Sequence, residues 1–165
     1  MKTIYLAGGC FWGTEQFLRQ FPGVRATLVG YANGRTANPS YEEVCRKDTG
    51  HAETVRVEYD ETVLPTRELL GLYFLAIDPL SVNRQGGDIG TQYRTGIYYD
   101  DESLLPEIGA VMRAQEEKLG QTLAVEVLPL RNFYPAEEYH QDYLVKNPGG
   151  YCHIPARLMH LKENG

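Results

Sequence analysis

The opening stretch Lys2-Thr3-Ile4-Tyr5-Leu6-Ala7-Gly8-Gly9-Cys10-Phe11-Trp12 decides the architecture. Lys2 to Ala7 reads as a short buried strand with Ile4 and Leu6 on one face, because side chains alternate across a strand. Gly8-Gly9 punctuates it, and a short helix follows from about Phe11 to Gln20. The chain then continues in the same alternating manner. Val24 to Tyr31 reads as a strand and Asn33-Gly34 as a turn. Tyr41 to Lys47 reads as a short helix, and Ala52 to Tyr59 alternates as a strand. Thr66 reads as the cap of a helix that carries Leu69, Leu70, Tyr73, Phe74 and Ile77 at helical spacing. Gly96 to Tyr99 is a strand. Glu102 to Leu119 is an amphipathic helix with Leu104, Leu105, Ile108, Val111, Met112 and Leu119 inward, and Pro106 sits in its first turn, where a missing N–H costs little. Leu123 to Leu128 is a strand. Interleaved strands and helices imply a sheet with helices packed on it. Asp78 to Thr95 and the tail after Tyr143 read as long loops, which usually carry function.

The 165 residues fit one compact domain spanning 1–165, and 42% apolar with 23% charged residues fits a soluble core-forming chain. A formal net charge of −6 argues against nucleic acid and against anionic membranes. No apolar run approaches the ~18 residues that span a bilayer. The apolar part of Met1 to Cys10 is shorter than the ~7–15 residues of a signal sequence core, so it reads as a mature strand and the protein as cytoplasmic. Three separated cysteines, Cys10, Cys45 and Cys152, form neither a disulfide framework nor a CxxC zinc or redox pair. Each is either a buried apolar residue or a reactive thiol.

Cys10 follows a strand and a Gly-Gly turn at a helix start. Free backbone N–H groups and the helix dipole favour an anion there. A thiol so placed has its pKa lowered from ~8.5 to roughly 3.5–7.5. The competing reading is a small buried residue at a strand end. Phe11 and Trp12 cannot both enter one core, so one of them is expected beside the thiol, where an aromatic wall suits a methyl group and contacts sulfur favourably. Glu53 shares a strand face with Val55, Val57 and Tyr59, so parity turns it inward. Burial raises a carboxyl pKa, and a carboxyl kept protonated near neutral pH can donate its proton. Its alternative is a strand-end glutamate that reaches solvent. Asp88 and Tyr93 lie in Gly86-Gly87-Asp88-Ile89-Gly90-Thr91-Gln92-Tyr93-Arg94, which is not a phosphate loop because no Lys-Ser/Thr follows. Asp88 either orients a partner or sits in a solvated turn. Cys152-His153 is poor metal geometry, and no metal is expected. Cys10 with His140 is a conceivable hydrolase pair.

Gly9-Cys10-Phe11-Trp12-Gly13 resembles the active-site motif of the A-type peptide methionine sulfoxide reductases. Four further segments resemble that family in order: Pro39 to Val44, Gly50 to Glu53, Gly87 to Arg94 and Phe133 to Leu144. The resemblance implies an α+β fold, a ferredoxin-like two-layer sandwich with additional elements and a long irregular C-terminal tail. It implies reduction of the S-epimer of methionine sulfoxide, free or within oxidised proteins. By position, Cys10 is the nucleophile, Glu53 protonates or hydrogen-bonds the sulfoxide oxygen, Tyr41 and Tyr93 assist it, and Asp88 polarises the site. Phe11 and Trp12 form the methyl pocket.

The residues agree with this chemistry, since thiolate attack on a sulfoxide requires an acid and leaves Cys10 as sulfenic acid. Cys152, on a glycine-containing tail that can reach in, matches a resolving cysteine, and thioredoxin or dithiothreitol would reduce the resulting disulfide without a cofactor. A relay through a further tail cysteine is excluded, because none follows Cys152. Cys45 is expected to be buried and structural, and the protein to act as a monomer. The rival readings are a cysteine–histidine hydrolase and a thiol redox sensor without turnover.

Overall fold

The computed structural model describes residues 1–161. Its first half runs β1 (Lys2–Gly8), α1 (Phe11–Arg19), β2 (Val24–Ala32), α2 (Tyr41–Arg46), β3 (Ala52–Tyr59) and α3 (Thr66–Ala76). The second half runs β4 (Arg84–Gln85), β5 (Asp88–Ile89), β6 (Thr95–Tyr99), α4 (Leu105–Leu119), β7 (Glu126–Pro129), β8 (Phe133–Pro135) and α5 (Tyr143–Lys146). The fold is mixed α/β.

Strand β1 is central because both of its faces find cover. Ile4 and Leu6 point into the main core, and Tyr5 and Ala7 into a smaller cluster on the other face. It pairs antiparallel with β3 on one side and β6 on the other. Strand β2 extends β3, β8 extends β2, and β7 joins β6 in parallel, giving the order β7-β6-β1-β3-β2-β8. The main core lies between the sheet and helices α1, α3 and α4, with Phe17, Leu70 and Ile108 fully buried from the three. Each such side chain contributes about 1.5–3 kcal/mol by leaving water. Ala7, Ala32 and Ala52 keep the second face thin, and Tyr98, Leu130 and Phe133 cover it.

Several boundaries differ from the sequence expectation. Asp78 to Thr95 is not one open loop. It holds the β4–β5 hairpin and a 3-10 turn over Thr91–Tyr93, both too short for a periodic signal. Thr66 is the first residue of α3 and Pro65 its cap; the Thr66 hydroxyl instead bonds the Tyr59 hydroxyl at 2.7 Å. Leu105 and Leu119, at the two ends of α4, are exposed rather than inward. The last predicted strand begins at Glu126, although Leu123 and Val125 are buried ahead of it. The tail is packed rather than free. Ile154 and Leu158 are buried, and Gln20, the C-cap of α1, donates to Leu158 O at 2.7 Å and accepts from Leu161 N at 2.8 Å.

One buried bond fixes α3 against the strand that leads to Cys10. The Tyr73 hydroxyl donates to Ala7 O at 2.6 Å and lies 3.3 Å from Gly96 O. Removing it takes one hydrogen bond from buried carbonyls, a net cost of about 0.5–1.5 kcal/mol. Tyr73→Phe is expected to lower the urea midpoint correspondingly at unchanged slope, and an unshifted midpoint would show that the bond contributes nothing net.

Candidate active site

Cys10 is the N-cap residue of α1 and only 5% exposed. Gly9 before it has φ +90°, a left-handed conformation that costs glycine nothing, and a Cβ there would stand 2.8 Å from Gln85 Cβ and from His153 Nε2. The backbone N–H groups of Trp12 and Gly13 reach the sulfur, as a helix start provides. Burial nevertheless dominates. It pushes the thiol well above its ordinary value, with the Glu53 carboxyl adding to the rise and the two N–H groups only opposing it. The expected depressed pKa is therefore corrected: the resting thiol is protonated, because loss of solvent outweighs the helix start.

Glu53 lies on β3 and is 1% exposed, as its parity with Val55 and Val57 requires. Its Oε1 accepts from Phe11 N at 3.1 Å, and Oε2 is buried with no partner. Burial raises its pKa to about 8; the Phe11 N–H opposes this and Asp88 reinforces it. At neutral pH it is an acid holding a proton, with one oxygen already used by the first residue of α1 and the other free.

Helix α2 starts with a capping box, in which the Ser40 hydroxyl accepts from Glu43 N and the Glu43 carboxylate from Ser40 N. This places Tyr41 on the first turn, where burial and then Glu53 raise its hydroxyl. Tyr93, from the 3-10 turn, is raised by burial, Glu53 and Cys45, with Asp88 and Cys10 adding less. Both phenols thus remain O–H donors near the acid. Asp88, on β5, has a buried Oδ2 without a hydrogen-bond partner, and its proximity helps raise the Tyr151 hydroxyl. Cys45 corrects an expectation. It is exposed rather than buried, since α2 is a short surface helix, and four residues after Tyr41 it shares that residue's face. Burial raises its thiol, and the nearby Tyr41 and Tyr93 hydroxyls oppose the rise.

Phe11 is fully buried while Trp12 is half-buried, the division that two adjacent aromatics forced. Trp12 stacks on Tyr143 with centroids 3.8 Å apart and planes at 10°, and Tyr41 lies 6.4 Å from both Phe11 and Trp12. Sequence reasoning missed what holds this cage. Trp12 Nε1 donates to His140 Nδ1 at 2.9 Å, and Glu137 accepts from both the Tyr31 hydroxyl and Tyr41 N. The segment Glu137-Glu138-Tyr139-His140 was visible as a motif, but spacing alone carried no partner. A neutral histidine has a single acceptor nitrogen, and Trp12 occupies the one on His140. Burial also lowers the pKa of this ring. It is not free to serve Cys10 as a base.

Cys152 is half-buried over the first turn of α1, where a Cβ on Gly13 would stand 3.0 Å from its Sγ. The packed tail brings the second thiol to the helix that begins at Cys10. A buried protonated thiol, a buried protonated carboxyl, two phenols, an aromatic cage and a second thiol together suit two-electron chemistry at sulfur.

Comparison with known proteins agrees. A family model described as peptide methionine sulfoxide reductase matches residues 2–164. The peptide methionine sulfoxide reductase MsrA of Lachnoclostridium phytofermentans is 58% identical over 93% of this chain and 92% of its own. That of Clostridium perfringens is 55% identical over 93% and 98%. Among solved structures, reduced Mxr1 from Saccharomyces cerevisiae superposes with a TM-score of 0.88 at 41% identity, over 93% of this chain and 91% of that one. Methionine sulfoxide reductase A of Corynebacterium diphtheriae gives 0.84 at 38%, over 93% and 82%. This chain belongs to the peptide methionine sulfoxide reductase family.

A carboxyl whose pKa is about 8 when folded and near 4.5 when exposed binds its proton more tightly in the folded state. Its contribution to stability is full below the unfolded value and is lost as pH rises toward 8. Glu53→Gln keeps the acceptor for Phe11 N but cannot ionise. Its stability relative to wild type is expected to increase steadily across that window in urea titrations. A pH-independent difference would contradict the buried acid.

Proposed function

We propose that this chain reduces the S-epimer of methionine sulfoxide, free or within proteins, with Cys10 as nucleophile and Glu53 as acid. The observation that carries the reading is Glu53 itself: a carboxyl kept protonated by burial, one oxygen anchored on Phe11 N and the other unpaired, in electrostatic reach of the Cys10 thiol. The substrate methyl enters the cage of Phe11 and Trp12. Glu53, aided by the O–H groups of Tyr41 and Tyr93, hydrogen-bonds and protonates the sulfoxide oxygen. Asp88 reinforces the raised pKa of Glu53 and so disfavours loss of its proton. The S–O bond of the substrate breaks and the oxygen ends on Cys10 as sulfenic acid. Substrate sulfur is reduced by two electrons and Cys10 sulfur oxidised by two, and methionine leaves.

Cys152 then condenses with Cys10, releasing water, and an external dithiol reduces the disulfide by exchange. Thioredoxin fits that role, and a solved complex of Mxr1 with Trx2, 28% identical to this chain over 86% of it, supports it. The cycle uses thiols alone and needs no cofactor. The whole chain acts as one catalytic domain. Its core is ferredoxin-like, supported by the run β1-α1-β2-β3-α3-β6 and the order β6-β1-β3-β2, with β7 and β8 as added edges and an irregular tail. Among the described residues no helix is long and apolar enough to cross a membrane, and we place the enzyme in the cytoplasm as a monomer.

Dithiothreitol-driven assays with separated epimers of N-acetyl methionine sulfoxide test the reading. Turnover of S alone, abolished in Cys10→Ser, is expected; turnover of neither epimer would defeat it. In single turnover Glu53→Gln is expected to lose about 10²–10⁴-fold in rate, and an unchanged rate would remove Glu53 from the mechanism. Cys152→Ser is expected to complete one turnover but to lose thioredoxin-dependent cycling.

A further inference from the structure

The cycle above gives His153 no task, yet its ring is built into the site. His153 Nε2 lies 2.9 Å from Gly8 O. A carbonyl only accepts, so Nε2 carries the proton and Nδ1 keeps the lone pair. Nδ1 is buried and has no hydrogen-bond partner. Unpaired buried acceptors are uncommon and call for an explanation. Burial lowers the pKa of the ring, with the Gly8 carbonyl and Asp88 opposing, so the neutral form with a free lone pair is the resting one.

The niche for that lone pair is shared with a thiol. A Cβ on Gly13 would meet Cys152 Sγ at 3.0 Å and His153 Nδ1 at 3.1 Å, so both atoms border one small space over the first turn of α1. Gly9 makes room for the opposite edge of the ring. The Cys152 thiol is raised by burial, which leaves it protonated and a poor nucleophile. Its S–H donates to Ile154 O at 3.5 Å, an acceptor that cannot take the proton away.

We propose that His153 Nδ1 is the general base of the resolving step, an inference that rests on Cys152 being the resolving thiol. As Cys152 Sγ attacks the sulfenic sulfur of Cys10, its S–H turns from Ile154 O toward Nδ1, which takes the proton. The S–S bond forms and the S–O bond of Cys10 breaks. The imidazolium returns the proton to the departing oxygen, which leaves as water. Cys152 sulfur is oxidised and the sulfenic sulfur of Cys10 reduced to the disulfide level, so no further oxidant or reductant enters, and His153 ends neutral.

Two variants test this in single turnover without reductant. His153→Gln retains an N–H for the Gly8 carbonyl and fills the niche but offers no base. His153→Ala leaves a space that added imidazole can occupy. Methionine formation, which precedes the step, is expected to be unchanged in both and certifies the fold. Formation of the intramolecular disulfide, followed by thiol counting in quenched flow, is expected to slow about 100-fold. Dimedone should trap the accumulating sulfenic acid. Imidazole is expected to accelerate His153→Ala and not the wild type. Wild-type disulfide rates in both variants would overturn the proposal. So would a defect confined to His153→Ala and indifferent to imidazole, which would mark the ring as a structural pin. Cys152→Ser separates the underlying reading: an intramolecular disulfide that still forms at Cys10 there would unseat Cys152, and His153 with it.

Discussion

The hydrogen bond from Phe11 N–H to Glu53 Oε1 joins the strand in the middle of the sheet to the first residue of the helix that follows Cys10, the proposed nucleophile. Everything at the site is arranged around the carboxyl at its far end. Central strand β3 removes Glu53 from solvent, α1 takes one oxygen, and α2 and the Thr91–Tyr93 turn bring phenols whose own ionisation the buried acid disfavours. Moving any of these elements outward would admit water, drop the carboxyl toward its ordinary range and forfeit the proton on which the proposed chemistry relies.

The resting site consequently holds its protons. Thiol, carboxyl and both phenols are all on the neutral side at pH 7, because the same desolvation acts on each. Such a thiol is inert toward casual oxidants, since only thiolate reacts quickly. Activation then belongs to the substrate. A sulfoxide oxygen is a strong acceptor, and its arrival gives the acid and the phenols something to donate to. In the proposed reaction, preference for a polar S–O group beside a methyl follows from the pairing of a proton-rich corner with an aromatic wall.

What the sequence disclosed and what it withheld divide along physical lines. The alternation of Glu53 with Val55, Val57 and Tyr59 is a local signal, and it located the buried acid. The position of Cys10 after two glycines was equally local. Its pKa was not, because the sign is decided by atoms from β3, the tail and the β4–β5 hairpin, all distant in sequence, that exclude water from the helix start. Cys45 was misjudged because a six-residue helix has no periodicity to tell its inner face from its outer one. His140 and His153 were visible as residues and opaque as partners: one orients Trp12 from the far end of the chain, the other bonds the carbonyl of Gly8. The two-residue strands β4 and β5 fall below any hydrophobic pattern, so the hairpin that carries Asp88 read as open loop.

The two thiols of the proposed cycle lie near opposite ends of the chain, and only the last packed turn, held by Gln20 and by buried Ile154 and Leu158, brings the second one home. The nucleophile, its acid and its aromatic wall are all encoded before that turn. A ribosome therefore finishes the half of the enzyme that accepts oxygen before the half that lets it go. A chain clipped within its final stretch would retain the means to repair one methionine and lose the means to be repaired itself, turning a recycling catalyst into a single-use reagent.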